Sequence, residues 1–137
     1  MLKISKLLDY GLLVIVTIAK NKEAPYSAMK ISEVTGLNLP TVRKLLNLLA
    51  NRNIVASKRG VDGGYVLTRS SSSIKVLHVV KAVEENVRVT ECCDLRKKKC
   101  AAVKVCTVDN YWKSMNRKVL EILSQTSIED VVNDNKV

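Results

Sequence analysis

Phenylalanine is absent from this 137-residue chain, and the aromatic residues are one Trp and four Tyr. A core without many large rings must be assembled from Leu, Ile, Val and Ala, and the apolar fraction of 47% is ordinary for a globular protein. Histidine occurs once, at His78, within the apolar stretch from Val76 to Val83, which marks it for helix packing before ligation. No nucleophile is paired with a base, and no Gly-rich phosphate loop follows a strand, so the chain is read as a non-enzyme. No apolar run is long enough for a membrane span; the longest, GLLVIVTIA from Gly11 to Ala19, falls far short. With Lys3 and Lys6 ahead of it, that run superficially resembles a signal peptide. Asp9 interrupts the approach and the segment also reads as a helix, so export is rejected and a cytoplasmic location expected. Internal repeats are missing too, and the length suits one domain.

Acidic residues are outnumbered, 13 against 23 Lys and Arg, for a formal net charge of +10. Residues 1–69 carry +7 of this and residues 70–137 carry +3. Between Arg43 and Arg69 six bases face a single acid, Asp62, and such a patch attracts a polyanion by releasing condensed counterions. Charge alone does not choose between DNA, RNA and an anionic membrane. The pattern of elements does.

Residues 5–20 read as a helix, with Leu8, Leu12, Ile15 and Ile18/Ala19 at three-and-four spacing. A polar loop over 21–26 leads to a short helix over 28–35, ended by Gly36 in a permissive turn. A further helix starts near Pro40, with Val42, Leu45, Leu46 and Leu49 as its buried stripe and Arg43, Lys44 and Asn47 left outside. Two helices joined by a tight Gly-containing turn make a helix-turn-helix. Residues 54–58 and 64–68 read as strands around the tight reversal RGVDGG at 59–64. A Ser-rich connector at 70–73, a helix over 74–83, the cysteine stretch at 92–106 and a long helix over about 107–124 complete the chain. In that last helix Val108, Trp112, Met115, Val119 and Ile122 form a coiled-coil-like seam, with Trp112 and Met115 read as core or dimer seam; Thr126 and Glu129 are placed to cap a short final turn. The expected fold class is mainly α: a winged helix-turn-helix with a two-stranded β wing plus a long C-terminal dimerisation helix. One domain spans 1–137: the DNA-binding winged helix-turn-helix at 1–69, a connecting helix at 70–91, a cysteine loop at 92–106, and the dimerisation helix and tail at 107–137.

Two constellations carry chemistry. Pro40, Thr41, Arg43, Lys44 and Asn47 lie near the start of the second helix of the motif, where a major-groove helix presents its reading residues. Arginine pairs bidentately with guanine and asparagine with adenine, while Lys and Thr serve bases or phosphates. Lys58, Arg59 and Gly60 form the wing side of the same surface, Arg59 being suited to a narrow minor groove. Taken alone the helix is an ordinary amphipathic one; the basic hairpin directly after it turns the balance to double-stranded DNA. The second constellation is Cys92, Cys93, Cys100 and Cys106, four thiols within fifteen residues. They can converge on one metal centre and do not have the CxxC…CxxC spacing usual for structural zinc. Five bases in the stretch favour thiolates and offset their charge. Zinc, or buried thiols without metal, are the other readings of these residues.

Asp9-Tyr10-Gly11, Asn38-Leu39-Pro40-Thr41, the wing run Arg59-Gly60-Val61-Asp62-Gly63-Gly64-Tyr65-Val66-Leu67 and the spaced cysteines together resemble the iron–sulfur-cluster-sensing winged-helix regulators, the family of IscR and NsrR. The resemblance extends over nearly the whole chain. It implies a homodimer gripping a pseudo-palindromic operator, acting as a repressor, with an iron–sulfur cluster, [2Fe–2S] favoured over [4Fe–4S], that reports cluster status, iron, nitric oxide or redox state. The alternative keeps the DNA-binding dimer but gives the cysteines to zinc or to a thiol redox switch. Two adjacent cysteines stand where the family usually has one, and Cys93, Cys100 and Cys106 fit its spacing slightly better. The fourth ligand is left among the spare cysteine, Asp109, and Asp9 of a second copy; Asp9 also reads as a plain surface or helix-terminus carboxylate. Arg43 replaces an acidic reading residue of the family, so operator preference is not carried over.

Overall fold

The computed structural model describes residues 3–90, Cys93 and residues 105–134. Helix α1 (Lys6–Lys20) begins where the Ser5 hydroxyl accepts a hydrogen bond from the Leu8 N–H, 3.1 Å away. Helix α2 (Ala28–Thr35) is capped by Ser27 in the same way and closed by Gly36 at φ +75°. Helix α3 (Leu39–Asn51) takes its cap from Asn38, whose Oδ1 accepts from the Thr41 N–H at 2.9 Å, with Pro40 in the first turn, where a missing N–H costs nothing. All four residues of its expected stripe, Val42, Leu45, Leu46 and Leu49, are fully buried. At roughly 1.5–3 kcal/mol per buried aliphatic side chain, that stripe outweighs any local preference in fixing the helix to the core.

The wing is an antiparallel pair, β1 (Val55–Lys58) with β2 (Gly64–Leu67), in the register Val55–Leu67, Ala56–Val66, Ser57–Tyr65 and Lys58–Gly64. Its exit from α3 is made by Asn53 at φ +55°, a conformation that asparagine tolerates better than most side chains. The Asn53 carbonyl accepts from the Thr68 hydroxyl at 2.6 Å, closing the base of the hairpin. The winged helix-turn-helix expected from the sequence is present, and the described residues are mainly helical.

Helix α4 (Val76–Val83) starts two residues later than the pattern suggests. Residues 74–76 are instead paired antiparallel to 126–128: Val76 N–H donates to the Thr126 carbonyl and Ile128 N–H to the Ile74 carbonyl, both at 2.8 Å. Helix α5 (Asp109–Gln125) likewise starts later than expected, and α6 (Ile128–Asp134) follows. The cap of α6 lies one residue beyond the Thr126/Glu129 pair named above: the Ser127 hydroxyl accepts from the Asp130 N–H at 3.0 Å, and Asp130 Oδ2 accepts from the Ser127 N–H at 2.8 Å. The strand-like pairing of 126–128 holds Thr126 in extended backbone outside the cap position, which overrides the local signal. Ile74 and Ile128 are fully buried with Val14, Ile15, Ile31 and Val79 in one core that includes the apolar run of α1. No described helix is long and apolar enough to cross a membrane.

His78 does more than pack. Its Nδ1 accepts from the Lys75 N–H at 3.0 Å, while the His78 backbone N–H donates to the Lys75 carbonyl at 2.9 Å, so the imidazole caps α4. Burial lowers its pKa below the usual value, and Arg69, Lys81 and Lys75 lower it further. The capping form is the neutral one. Its stabilisation is complete above the unfolded pKa of about 6.5 and is lost as pH falls through the lower folded value. Melting temperatures measured from pH 7 to pH 5 should fall, and His78→Gln should flatten that fall; equal slopes for the two proteins would show that the cap does not titrate.

Candidate nucleic-acid interface and thiol site

Arg43, Lys44 and Asn47 emerge from α3 on the side opposite its buried stripe, all three exposed, and Pro40 beside them is exposed as well. Thr41 is half-buried, its N–H used by the Asn38 cap. Lys58 ends β1, with Arg59 and Gly60 directly beyond, and all are exposed. Among the described residues the ion pairs are Lys30–Glu33 and Lys113–Asp109, and neither touches this surface. The cations of α3 and the wing are therefore not neutralised by those carboxylates, as a phosphate-binding face requires.

The wing is tied to the helix-turn-helix by a contact that sequence reading missed. The Tyr65 N–H donates to the Tyr26 carbonyl at 2.8 Å, so the α1–α2 loop pairs with β2. Gly64 permits this approach: a Cβ there would lie 2.5 Å from both the carbonyl carbon and oxygen of Tyr26. At the tip, Gly60 has φ +126°, a region that side-chain-bearing residues avoid. The doublet Gly63-Gly64 before Tyr65 was the available signal, but nothing local named Tyr26 as its partner.

The thiol site lies at the start of α5. Cys93 is half-buried, its Sγ donating to the Trp112 carbonyl of α5 at 3.6 Å and lying 3.4 Å from the Thr90 hydroxyl. Just upstream, the Val89 N–H donates to Asn116 Oδ1 at 2.9 Å. Asn116 thus anchors the strand of chain leading to the cysteines; no sequence pattern links residues this distant. Cys106, also half-buried, precedes α5 by three residues. Cys92 and Cys100 lie outside the described residues. Asp109 opens α5 and accepts from Lys113 Nζ at 3.1 Å; that hydrogen bond, with backbone donors, holds its carboxyl below the usual range. Asp9 is exposed on α1 and lines a groove with Leu12, Val80, Glu84, Arg88 and Leu123. Among the described residues no three of His, Cys, Asp and Glu converge as a metal site. The donor set around the start of α5 is nonetheless soft: two thiols, no imidazole, and one carboxylate already engaged by a lysine, which suits iron–sulfur or zinc and not a hard cation.

A helix-turn-helix followed by a wing, with exposed cations on both, defines a winged-helix DNA-binding regulator of transcription and not an enzyme. The chain belongs to the Rrf2 family, described as iron-dependent transcriptional regulators, which it matches over residues 4–134. It is 31% identical over 129 residues to the HTH-type transcriptional regulator IscR of Escherichia coli, covering 93% of this chain and 78% of that protein. The chain spans between 66% and 78% of the lengths of the curated relatives it matches. Among solved structures it is similar to CymR, the global cysteine regulator of B. subtilis, with TM-score 0.80 and 28% identity over 99% of this chain and 100% of that one. It is also similar to T. potens IscR, with TM-score 0.76 and 26% identity over 98% and 89%.

Proposed function

We propose that the chain is a homodimeric repressor whose grip on a pseudo-palindromic operator depends on an iron–sulfur cluster held by thiols of the 92–106 stretch, [2Fe–2S] in preference to [4Fe–4S]. The observation that carries this reading is the attachment of Cys93 to α5 through the Trp112 carbonyl, with Cys106 beside the start of the same helix. Cys93 and Cys106 would supply ligands together with Cys100, and Cys92 stands ready as a substitute for its neighbour. The fourth ligand is left among Asp109, whose Oδ2 accepts from Lys113, Asp9 of a second copy and the spare cysteine. The cluster would supply sensitivity to oxidants, nitric oxide and iron supply.

Ligation requires the Cys93 thiolate, and loss of that proton removes the donor to the Trp112 carbonyl. The Val89 N–H still donates to Asn116 Oδ1, which keeps a link between the chain at Val89 and α5. Helix α5 packs on α4, and α4 packs on both α3 and α1, so a shift of α5 reaches the reading helix through contiguous packing.

The likeness to CymR supports a second reading, in which the same thiols act as a redox switch without iron. Anaerobic purification with an absorption spectrum and iron and sulfide analysis separates the two. The cluster reading expects a brown protein, and Cys106→Ala should be colourless after reconstitution yet still folded, because Cys106 is half-buried and not part of the buried core. A colourless wild-type protein with zinc or free thiols would overturn it in favour of the switch.

A further inference from the structure

Val61 stands at the apex of the wing as the most exposed large apolar residue described, with a relative exposure of 105%. Most solitary surface aliphatics need no explanation. This one occupies a reversal, where turn chemistry favours polar residues and glycine and where no core is within reach. Its surroundings thin the tip. Gly60 lies just before it and Gly63 two residues on, and a Cβ at Gly63 would sit 2.4 Å from the Lys58 carbonyl oxygen. The projecting side chains are therefore Arg59, Val61 and Asp62, all exposed. Asp62 is the single acid between Arg43 and Arg69, so the tip carries one base, one acid and one apolar side chain.

We infer that Val61 is a specificity-determining residue, placing its methyl groups against the minor groove at A·T steps. This rests on the reading of the wing as a minor-groove element. The minor groove is about 6 Å wide, and its floor differs between pairs chiefly by the guanine N2 amino group. A methyl contact is compatible with the bare floor of an A·T pair. At a G·C pair the same methyls cover the amino donor and leave it without a partner, which disfavours binding. Apolar side chains are inserted in minor grooves elsewhere, where they wedge between base steps. Arg59 would supply the electrostatic part of the contact and Val61 the discriminating part.

The test begins with selection of a binding duplex from random sequences by the full-length wild-type protein. Fluorescence anisotropy is then measured over a series of salt concentrations on that duplex and on duplexes carrying G·C or inosine·C at the wing-contacted steps. Inosine lacks the N2 amino group, so it restores an A·T-like minor groove while keeping a guanine-like major groove. The wild type should bind the G·C duplex about five- to tenfold more weakly, as a mismatched step commonly does, and inosine should restore binding. Val61→Ala should weaken binding with an unchanged salt slope and flatten the A·T over G·C preference. Val61→Thr, nearly the same shape but carrying a hydroxyl able to meet the amino group, should flatten it too. Arg59→Ala should instead reduce the salt slope by about one contact. Equal discrimination by wild type and Val61→Ala, or no recovery with inosine, overturns the role of Val61. If Arg59→Ala is silent as well, the minor-groove reading of the wing falls with it. Melting temperatures of the Val61 variants should match wild type, since the side chain touches no core.

Discussion

Gly64→Ala should lower the melting temperature by about 10 °C and abolish operator binding. The added Cβ would meet the Tyr26 carbonyl carbon and oxygen at 2.5 Å and the Ser27 nitrogen at 2.8 Å. These are backbone atoms that cannot rotate aside, and Ser27 caps α2. Relief requires either moving the α1–α2 loop or breaking the 2.8 Å bond from the Tyr65 N–H to the Tyr26 carbonyl. Overpacking of this kind costs about 1–3 kcal/mol or somewhat more, and for a chain of this size about 3 kcal/mol corresponds to the stated shift. The displaced wing would carry Lys58 and Arg59 away from the face shared with α3. Thermal melts followed by circular dichroism, with anisotropy on a selected duplex, check both parts. An unchanged melting temperature would mean that the loop yields freely and that the pairing does not brace the wing.

Ile122→Lys and Met115→Lys should each convert the proposed dimer to monomer at low micromolar concentration. No residue of α5 is fully buried in the single chain, whereas Tyr111 and Ile122 on it, and Val108 just before it, are 57%, 63% and 50% exposed. With Met115, these lie along one side of the helix at three-, four- and seven-residue spacings. A two-fold interface would bring the stripe against its own copy, so one substitution places two charges in it. An unpaired buried charge costs on the order of 3 kcal/mol or more, which raises the dissociation constant at least about 100-fold. Sedimentation velocity reads the result, and operator affinity should fall with it. Helical content should hold for Ile122→Lys because that side chain is mostly in solvent already. A variant that remained fully dimeric would show that another surface joins the copies.

The structure also divides the seam inferred from heptad spacing. Val119 lines the groove with Val76, Val80 and Leu123, and of these α5 residues Leu123 packs against the core. Tyr111, outside the inferred seam, shows a more exposed face than Trp112, and its ring meets the Trp112 ring edge-on at a centroid distance of 5.2 Å. Spacing alone identified an apolar helix correctly. It could not assign which apolar residues turn inward, because both faces of this helix carry them.

The sequence by itself determined what is local. The α3 stripe, the Gly36 turn, the position of Pro40 and the tight reversal at 59–64 all follow from side chains acting within three or four residues of one another, where helical period and turn chemistry admit few solutions. The exposed cations were equally legible, since an amphipathic helix with a full apolar stripe leaves its other face to solvent. Tertiary structure decided the rest. It set the late start of α4, the Ser127–Asp130 cap, the Tyr26–Tyr65 pairing over Gly64, and the seating of the cysteine approach on Asn116. The Ser127–Asp130 cap is itself local, but it is displaced because 126–128 pairs with 74–76; in the other cases a backbone group pairs with a partner far along the chain, and a buried peptide left unpaired costs more than a displaced local preference.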